Sequence, residues 1–134
     1  MNLIIYTDGA SRGNPGYAAI GYRIENEQGL LEEHGEYVGV TTNNEAEYRA
    51  IVKALKSARK YAPSEVKCYS DSLLIISQIK GEWKVKHPQM RDYYENVKAL
   101  EKEFKKISYT HVRRNNKGVS RCDELANEAL DKRS

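Results

Sequence analysis

The stretch Asn43-Asn-Glu-Ala-Glu-Tyr-Arg-Ala-Ile-Val-Lys-Ala-Leu-Lys-Ser-Ala-Arg-Lys-Tyr61, followed by Val66-Lys-Cys-Tyr-Ser70 and Ser72-Leu-Leu-Ile-Ile-Ser-Gln-Ile79, decides the fold. Within residues 43–61, Ala46, Ala50, Ile51, Ala54, Leu55 and Ala58 recur at the helical period, and Pro63 stands just past the end. Residues 66–70 read as a short strand, and residues 72–79 as a mostly buried helix closed by Gly81. An order of strand, helix, strand, helix requires parallel crossovers, so the chain is an α/β protein.

Outward from this centre the pattern stays regular. Residues 3–7 form a short apolar strand stopped by Asp8-Gly9, and residues 9–16 are dense in turn formers and predict a polar loop. Residues 17–25 alternate, with Ile20, Tyr22 and Ile24 on one face; a turn at 26–29 and a returning strand at 30–39 complete an antiparallel meander. On the other side, residues 89–106 carry Tyr93, Val97, Leu100 and Phe104 at helical spacing, and residues 107–112 are β-like. A basic loop at 113–120 leads to a last helix at 121–132 on Leu125, Ala126, Ala129 and Leu130. With no repeat or linker in 134 residues, one compact domain is expected.

Composition narrows the function only by exclusion. Twenty-two Lys and Arg against nineteen Asp and Glu give a formal charge of +3, which suits a polyanionic partner without requiring one. Cys68 and Cys122 make neither a disulfide framework nor a zinc-ligand cluster and are expected as buried free thiols. No apolar run approaches membrane-spanning length, and Thr7-Asp8-Gly9 interrupts the start of the chain before a signal core forms. A cytoplasmic protein is the resulting expectation.

Four acids stand out by position. Ligands of open α/β sheets collect outside the carboxyl ends of the parallel strands, where Asp8 and Asp71 both fall. Each also has a plain reading, Asp8-Gly9 as a turn and Ser70-Asp71-Ser72 as a helix cap. Glu47 continues the buried stripe of Ile51, Ala54 and Leu55, and so should face the sheet toward Asp8. Glu45, about 200° away around the helix, is expected on the solvent side. Asp123 shares an edge with Ala126 and Leu130, although its spacing from Ser120 also fits a capping box. Converging carboxylates repel one another unless cations are bound, and hard oxygen donors without Cys or His favour Mg²⁺, or Mn²⁺, over zinc. Two such ions about 3.5–4 Å apart can activate water and stabilise the departing oxygen of a phosphodiester.

Four strings, Tyr6-Thr-Asp-Gly-Ala-Ser-Arg-Gly-Asn-Pro-Gly16, Thr42-Asn-Asn-Glu-Ala-Glu47, Tyr69-Ser-Asp-Ser72 and Cys122-Asp-Glu-Leu-Ala126, together resemble the type 1 ribonucleases H over almost the whole chain. The resemblance implies a ribonuclease H-like fold: a five-stranded mixed sheet, antiparallel meander plus parallel strands, with helices on both faces. It implies a monomeric, two-metal endonuclease that hydrolyses the RNA strand of RNA/DNA hybrids, with Asp8, Glu47, Asp71 and Asp123 as the metal-binding acids. Asn43 and Asn44 correspond to residues that touch the hybrid's minor groove, where the 2′-OH can donate and accept. Thr42 corresponds to a phosphate-pocket threonine on the DNA strand, and Asn14 shares that pocket. Without the resemblance, Asn43 reads equally as a helix cap and Asn14-Pro15-Gly16 as a turn.

Trp83, in Gly81-Glu-Trp-Lys-Val-Lys-His87, is either a stacking residue of the family's DNA-strand channel or a lid on the core. The chain departs from the family pattern twice. It passes directly from Gly81 to Gln89, where other members carry an extra helix and a basic protrusion, so it resembles the compact branch. It also lacks the catalytic-loop histidine. His111 reads as a strand residue, and Arg114 is the best-placed substitute, or else a solvated arginine. A non-catalytic hybrid- or RNA-binding module and a nuclease of DNA junctions are the competing readings, and the four acids together with Thr42, Asn43 and Asn44 count against them.

Overall fold

The computed structural model describes residues 1–133, which build one five-stranded sheet with four α-helices. The elements run β1 (Asn2–Gly13), β2 (Gly16–Asn26), β3 (Gly29–Thr41), α1 (Asn43–Ala58), β4 (Glu65–Ser70), α2 (Leu73–Ile79), α3 (Pro88–Glu101), β5 (Ile107–His111) and α4 (Lys117–Lys132), with a 3₁₀ turn at Arg59–Tyr61 after α1. The strand order is β3-β2-β1-β4-β5. β1, β2 and β3 pair antiparallel, whereas β4 pairs parallel with both β1 and β5. The expected meander and crossovers are both present.

Period-two alternation divides the sheet between two layers. Leu3, Ile5, Tyr22 and Ile24 join Ile51, Leu55, Ile75, Ile79, Val97 and Leu100 in the main core beneath α1, α2 and α3. Ala19 instead packs on Ala126 and Leu130 of α4. The small residues on the α4 face bring helix and sheet into backbone contact: a Cβ on Gly21 would stand 2.1 Å from the Cys122 carbonyl oxygen. Cys122 Sγ also reaches the Tyr6 carbonyl at 3.2 Å. Both cysteines are buried and free, as expected.

Three boundaries differ from the sequence reading. β1 does not stop at residue 7 but pairs with β2 as far as Gly13↔Gly16, leaving only Asn14-Pro15, with a cis peptide, as the turn. The cross-strand ladder satisfies the backbone of a segment whose composition looks like a loop. α3 starts one residue early, at Pro88, with the His87 ring accepting from the Gln89 N–H; it ends at Glu101, although Phe104 still packs into the core. α4 begins at Lys117 rather than 121, because Asn116 Oδ1 caps it through the Val119 N–H at 3.1 Å. Among the described residues no helix is long and apolar enough to cross a membrane.

Candidate active site

Each of the four acids comes from a different element. Asp8 lies within β1, two residues beyond Tyr6, the last β1 residue paired with β4. It is therefore not at a strand end, as its Gly neighbour suggested, but where the parallel part of the sheet opens. Asp71 directly follows β4. Ser72, not Asp71, caps α2, its hydroxyl accepting from the Ile75 N–H, so the Asp71 carboxylate is not spent on the cap. Glu47 is early in α1, and Gly9 sets how close that helix comes: a Cβ on Gly9 would sit 2.4 Å from the Ala46 carbonyl carbon. Asp123 is in the second turn of α4, so the capping-box reading from Ser120 fails.

Ligand oxygens of Asp8, Glu47 and Asp71 all lie within 4.8 Å of one another. Asp8 and Glu47 are buried, and the Gly9 N–H donates to Glu47 Oε1 and, at 3.0 Å, to Asp8 Oδ1. Asp123 stands outside this group but lines the same open cleft of about 620 Å³, together with Asn14, Asn43, Arg114 and Asn127. Among the described residues no lysine or arginine pairs with any of the four acids. Burial first, and then the neighbouring Asp71 and Asp123 charges, push the Asp8 carboxyl up to about 7. Glu47 is held well above the usual carboxylate range by burial and by Asp8 and Asp71.

Glu45 corrects one expectation. It lies on the far side of α1 from Glu47 as the helical phase required, yet it is buried, because Thr41 at the end of β3 covers that side and donates its hydroxyl to the Glu45 carboxylate. Thr42, rather than Asn43, is the N-cap of α1, accepting from the Glu45 N–H at 3.2 Å. The Asn43 N–H is taken by Asn14 Oδ1 at 3.0 Å, which ties the β1–β2 turn to the start of the helix. Asn44 lines an adjoining hollow with Asp71, Ser72, His111 and Arg113. His111 ends β5 and is exposed there.

Arg114 reaches the acid cleft from the loop after β5, its carbonyl accepting from the Ser120 hydroxyl at 3.1 Å. Trp83 is not brought to the acids. It is 47% exposed, which excludes the reading as a core lid, and it lines a separate groove with Lys84, Lys86, Arg91 and Tyr94. Ser11 and Asn127 are polar cleft residues that the sequence reading missed; for Asn127 the i+4 spacing from Asp123 on the last helix was the available signal.

Residues 6–129 match the family model described as "Reverse transcriptase-like". The chain is 38% identical over 98% of its length to the bifunctional protein Rv2228c of Mycobacterium tuberculosis, spanning 36% of it. It is 40% identical to ribonuclease HI of Halobacterium salinarum over 94% of this chain and 63% of that protein. The crystal structure of RNase H1 from the same archaeon superposes with a TM-score of 0.94 at 38% identity, covering 99% of this chain and 100% of the other. LC11-RNase H1, solved in complex with an RNA/DNA hybrid, gives 0.90 at 39% identity over 97% of each chain. Sequence and fold agree along nearly the whole length, and the chain belongs to the ribonuclease H family.

Proposed function

We propose that this chain is a metal-dependent endonuclease that hydrolyses the RNA strand of RNA/DNA hybrids, with residues 1–134 forming a single ribonuclease H domain. The observation that carries the proposal is the set of three carboxylates, Asp8, Glu47 and Asp71, gathered within 4.8 Å and without a cationic partner among the described residues. All-oxygen donors of this kind suit a hard divalent cation, and the burial and mutual repulsion that raise Asp8 and Glu47 are what such a cation would offset. Asp8, Glu47, Asp71 and Asp123 would hold two Mg²⁺ ions, with Mn²⁺ as a working substitute. Bound there, the metal would supply Lewis acidity to the scissile phosphate and acidify a water.

The protein's own groups do the placing. A guanidinium offers only donors, so Arg114 cannot act as a general base and instead holds the scissile or departing phosphate by charge. Thr42 accepts from Glu45 N–H while its own proton remains able to donate to a phosphate oxygen of the DNA strand, with Asn14 beside it. Asn43 and Asn44, both exposed beside the acids, suit the 2′-OH of a minor groove. Trp83 with Lys84, Lys86 and Arg91 offers an aromatic and basic groove for the other strand's backbone. A reducing, cytoplasmic compartment accords with the two buried free thiols.

The test is cleavage of a labelled RNA/DNA hybrid beside duplex DNA and duplex RNA, each with Mg²⁺ and with chelator. Cutting confined to the RNA strand of the hybrid and dependent on Mg²⁺ is expected. Hybrid binding without cutting would leave a recognition module instead, and equal cutting of duplex DNA would overturn the substrate assignment.

A further inference from the structure

Asp123 is the odd member of the four acids. It lies outside the tight carboxylate group and comes from α4, whereas Asp8 is held within β1, Asp71 directly follows β4 and Glu47 sits on a helix pressed on Gly9. Its approach to the others therefore depends on its own side-chain direction. That direction is held from one side. Asn127, one turn further along α4, donates its Nδ2 to Asp123 Oδ1 at 3.2 Å and to the Asp123 carbonyl at 2.9 Å. Arg12 of β1 in turn donates to Asn127 Oδ1 at 3.3 Å and to Asp131 Oδ1 at 2.7 Å.

We infer that Asn127 is the positioning residue of the Asp123 carboxylate and that Arg12 sets the orientation of its amide. The inference rests on the metal-dependent reading above. A guanidinium can only donate and a carboxylate can only accept, so an amide between them satisfies both in one orientation alone, with oxygen toward Arg12 and nitrogen toward Asp123. The flipped amide would set oxygen against carboxylate and N–H against guanidinium. Asp123, Asn127 and Asp131 follow one helix edge at i, i+4 and i+8, which places them in register for Arg12 to span the last two. The Arg12–Asp131 pair is itself largely exposed and adds little stability, so what it contributes is direction. Asparagine is also a poor mid-helix residue, and its presence where the side chain meets the cleft is a local rule broken at the site.

The experiment compares wild type, Asn127→Ala, Asn127→Leu, Arg12→Ala and Asp123→Asn by calorimetric titration with Mn²⁺, by melting in EDTA, and by the Mg²⁺ midpoint of hybrid cleavage. Asn127→Ala and Asn127→Leu are expected to weaken Mn²⁺ binding about tenfold and raise the Mg²⁺ midpoint in proportion, as loss of a ligand's hydrogen-bond partner does. Metal-free melting should stay unchanged or rise, since both replacements are better helix formers. Arg12→Ala should act in the same direction by about two- to threefold and add nothing in the Asn127→Ala background. Wild-type Mn²⁺ affinity in both Asn127 variants, while Asp123→Asn weakens it, overturns this inference alone. Wild-type affinity in Asp123→Asn as well removes Asp123 from the metal site and overturns this inference, while the metal-dependent reading, carried by Asp8, Glu47 and Asp71, stands; absence of Mn²⁺ binding by the wild-type chain is the result that overturns that reading. A loss of affinity that appears only together with a lower metal-free melting temperature also overturns it, because the role is then structural.

Discussion

Asp8 sits in a conflict that its neighbours create: burial and the charges of Asp71 and Asp123 hold its carboxyl up to about 7, against an ordinary value of 3.8. In the unfolded chain the same group ionises near its ordinary value, so without metal the folded state loses stability as pH rises from about 4 toward 7, and the loss then levels off. Asp8→Asn removes this term. It should abolish hybrid cleavage and yet raise metal-free stability at pH 8 by about 1–3 kcal/mol, with little difference near pH 4, as denaturant titrations at the two pH values would read. The two glutamates of α1 separate in a different way. Glu47→Gln should lower cleavage by more than about a hundredfold, since it takes a charge from the cluster. Glu45→Gln should leave cleavage intact, because an amide oxygen still accepts from Thr41; Glu45→Ala leaves that buried hydroxyl unsatisfied and should cost about 1–2 kcal/mol. Arg114 belongs to this scale too. Arg114→Ala should lower turnover by roughly ten- to a hundredfold and Arg114→Lys recover part of it, since charge survives and the bidentate fork does not. Wild-type turnover in both, at saturating hybrid and Mg²⁺, would assign Arg114 to solvent.

Between elements, one carboxylate gathers several of the polar ties between the meander and the long helix with the turn that follows it. Glu32 of β3 accepts from the Ser57 hydroxyl at 2.7 Å, the Tyr61 hydroxyl at 2.8 Å and the Tyr22 hydroxyl at 3.1 Å, and pairs with Lys60 at 3.1 Å. Burial alone would raise its pKa, but these donors outweigh it and hold the carboxyl below its ordinary value. A lowered folded value gives stability that is present above the unfolded pKa of about 4.3 and is lost as pH falls through the folded one. Glu32→Gln should therefore cost about 1–2 kcal/mol at pH 7 and flatten the acid limb of the stability profile, which thermal melts between pH 3 and 7 would resolve. None of this joint was legible in the sequence, because the hydroxyls lie 10 to 29 residues from the carboxylate and carry no periodicity. What was legible follows the same logic. The period of Ala46, Ala50, Ile51, Ala54 and Leu55 depends on one helix face alone, and it gave α1 and the inward phase of Glu47 correctly. The end of β1 and the start of α4 depend instead on partners. Residues 9–13 look like a loop until β2 supplies their hydrogen bonds, and Lys117-Gly118 is a weak helix start until Asn116 caps it. The burial of Glu45 was missed for the same reason, since its cover comes from β3.

Two groups of cations line grooves away from the acids, and one of them surrounds the exposed Trp83. Lys84, Lys86 and Arg91 flank Trp83 and Tyr94 in one groove, while Lys98, Lys102, Lys105 and Lys106 gather around the end of α3 and the start of β5. On the second surface Lys98 is turned to the Ile79 carbonyl at 2.6 Å and Lys106 pairs with Glu65 at 3.0 Å, so the cluster is partly neutralised by the fold. A hybrid seated on the acid cleft and the Trp83 groove would meet few cations, and binding should be weak with a shallow salt dependence. Each phosphate neutralised contributes about 0.9 to the slope of log affinity against log salt, so the wild-type slope should stay below about six. Lys84→Gln with Lys86→Gln should reduce that slope by about two, and Lys102→Gln with Lys105→Gln should leave it where it was. The measurement is hybrid affinity with a cleavage-dead Asp8→Asn chain over a salt series, in Ca²⁺ to hold the site charged without turnover. A slope that falls with the Lys102 and Lys105 pair and not with the Lys84 and Lys86 pair would move the second strand from the Trp83 groove to the α3–β5 surface, and the stacking role of Trp83 would go with it.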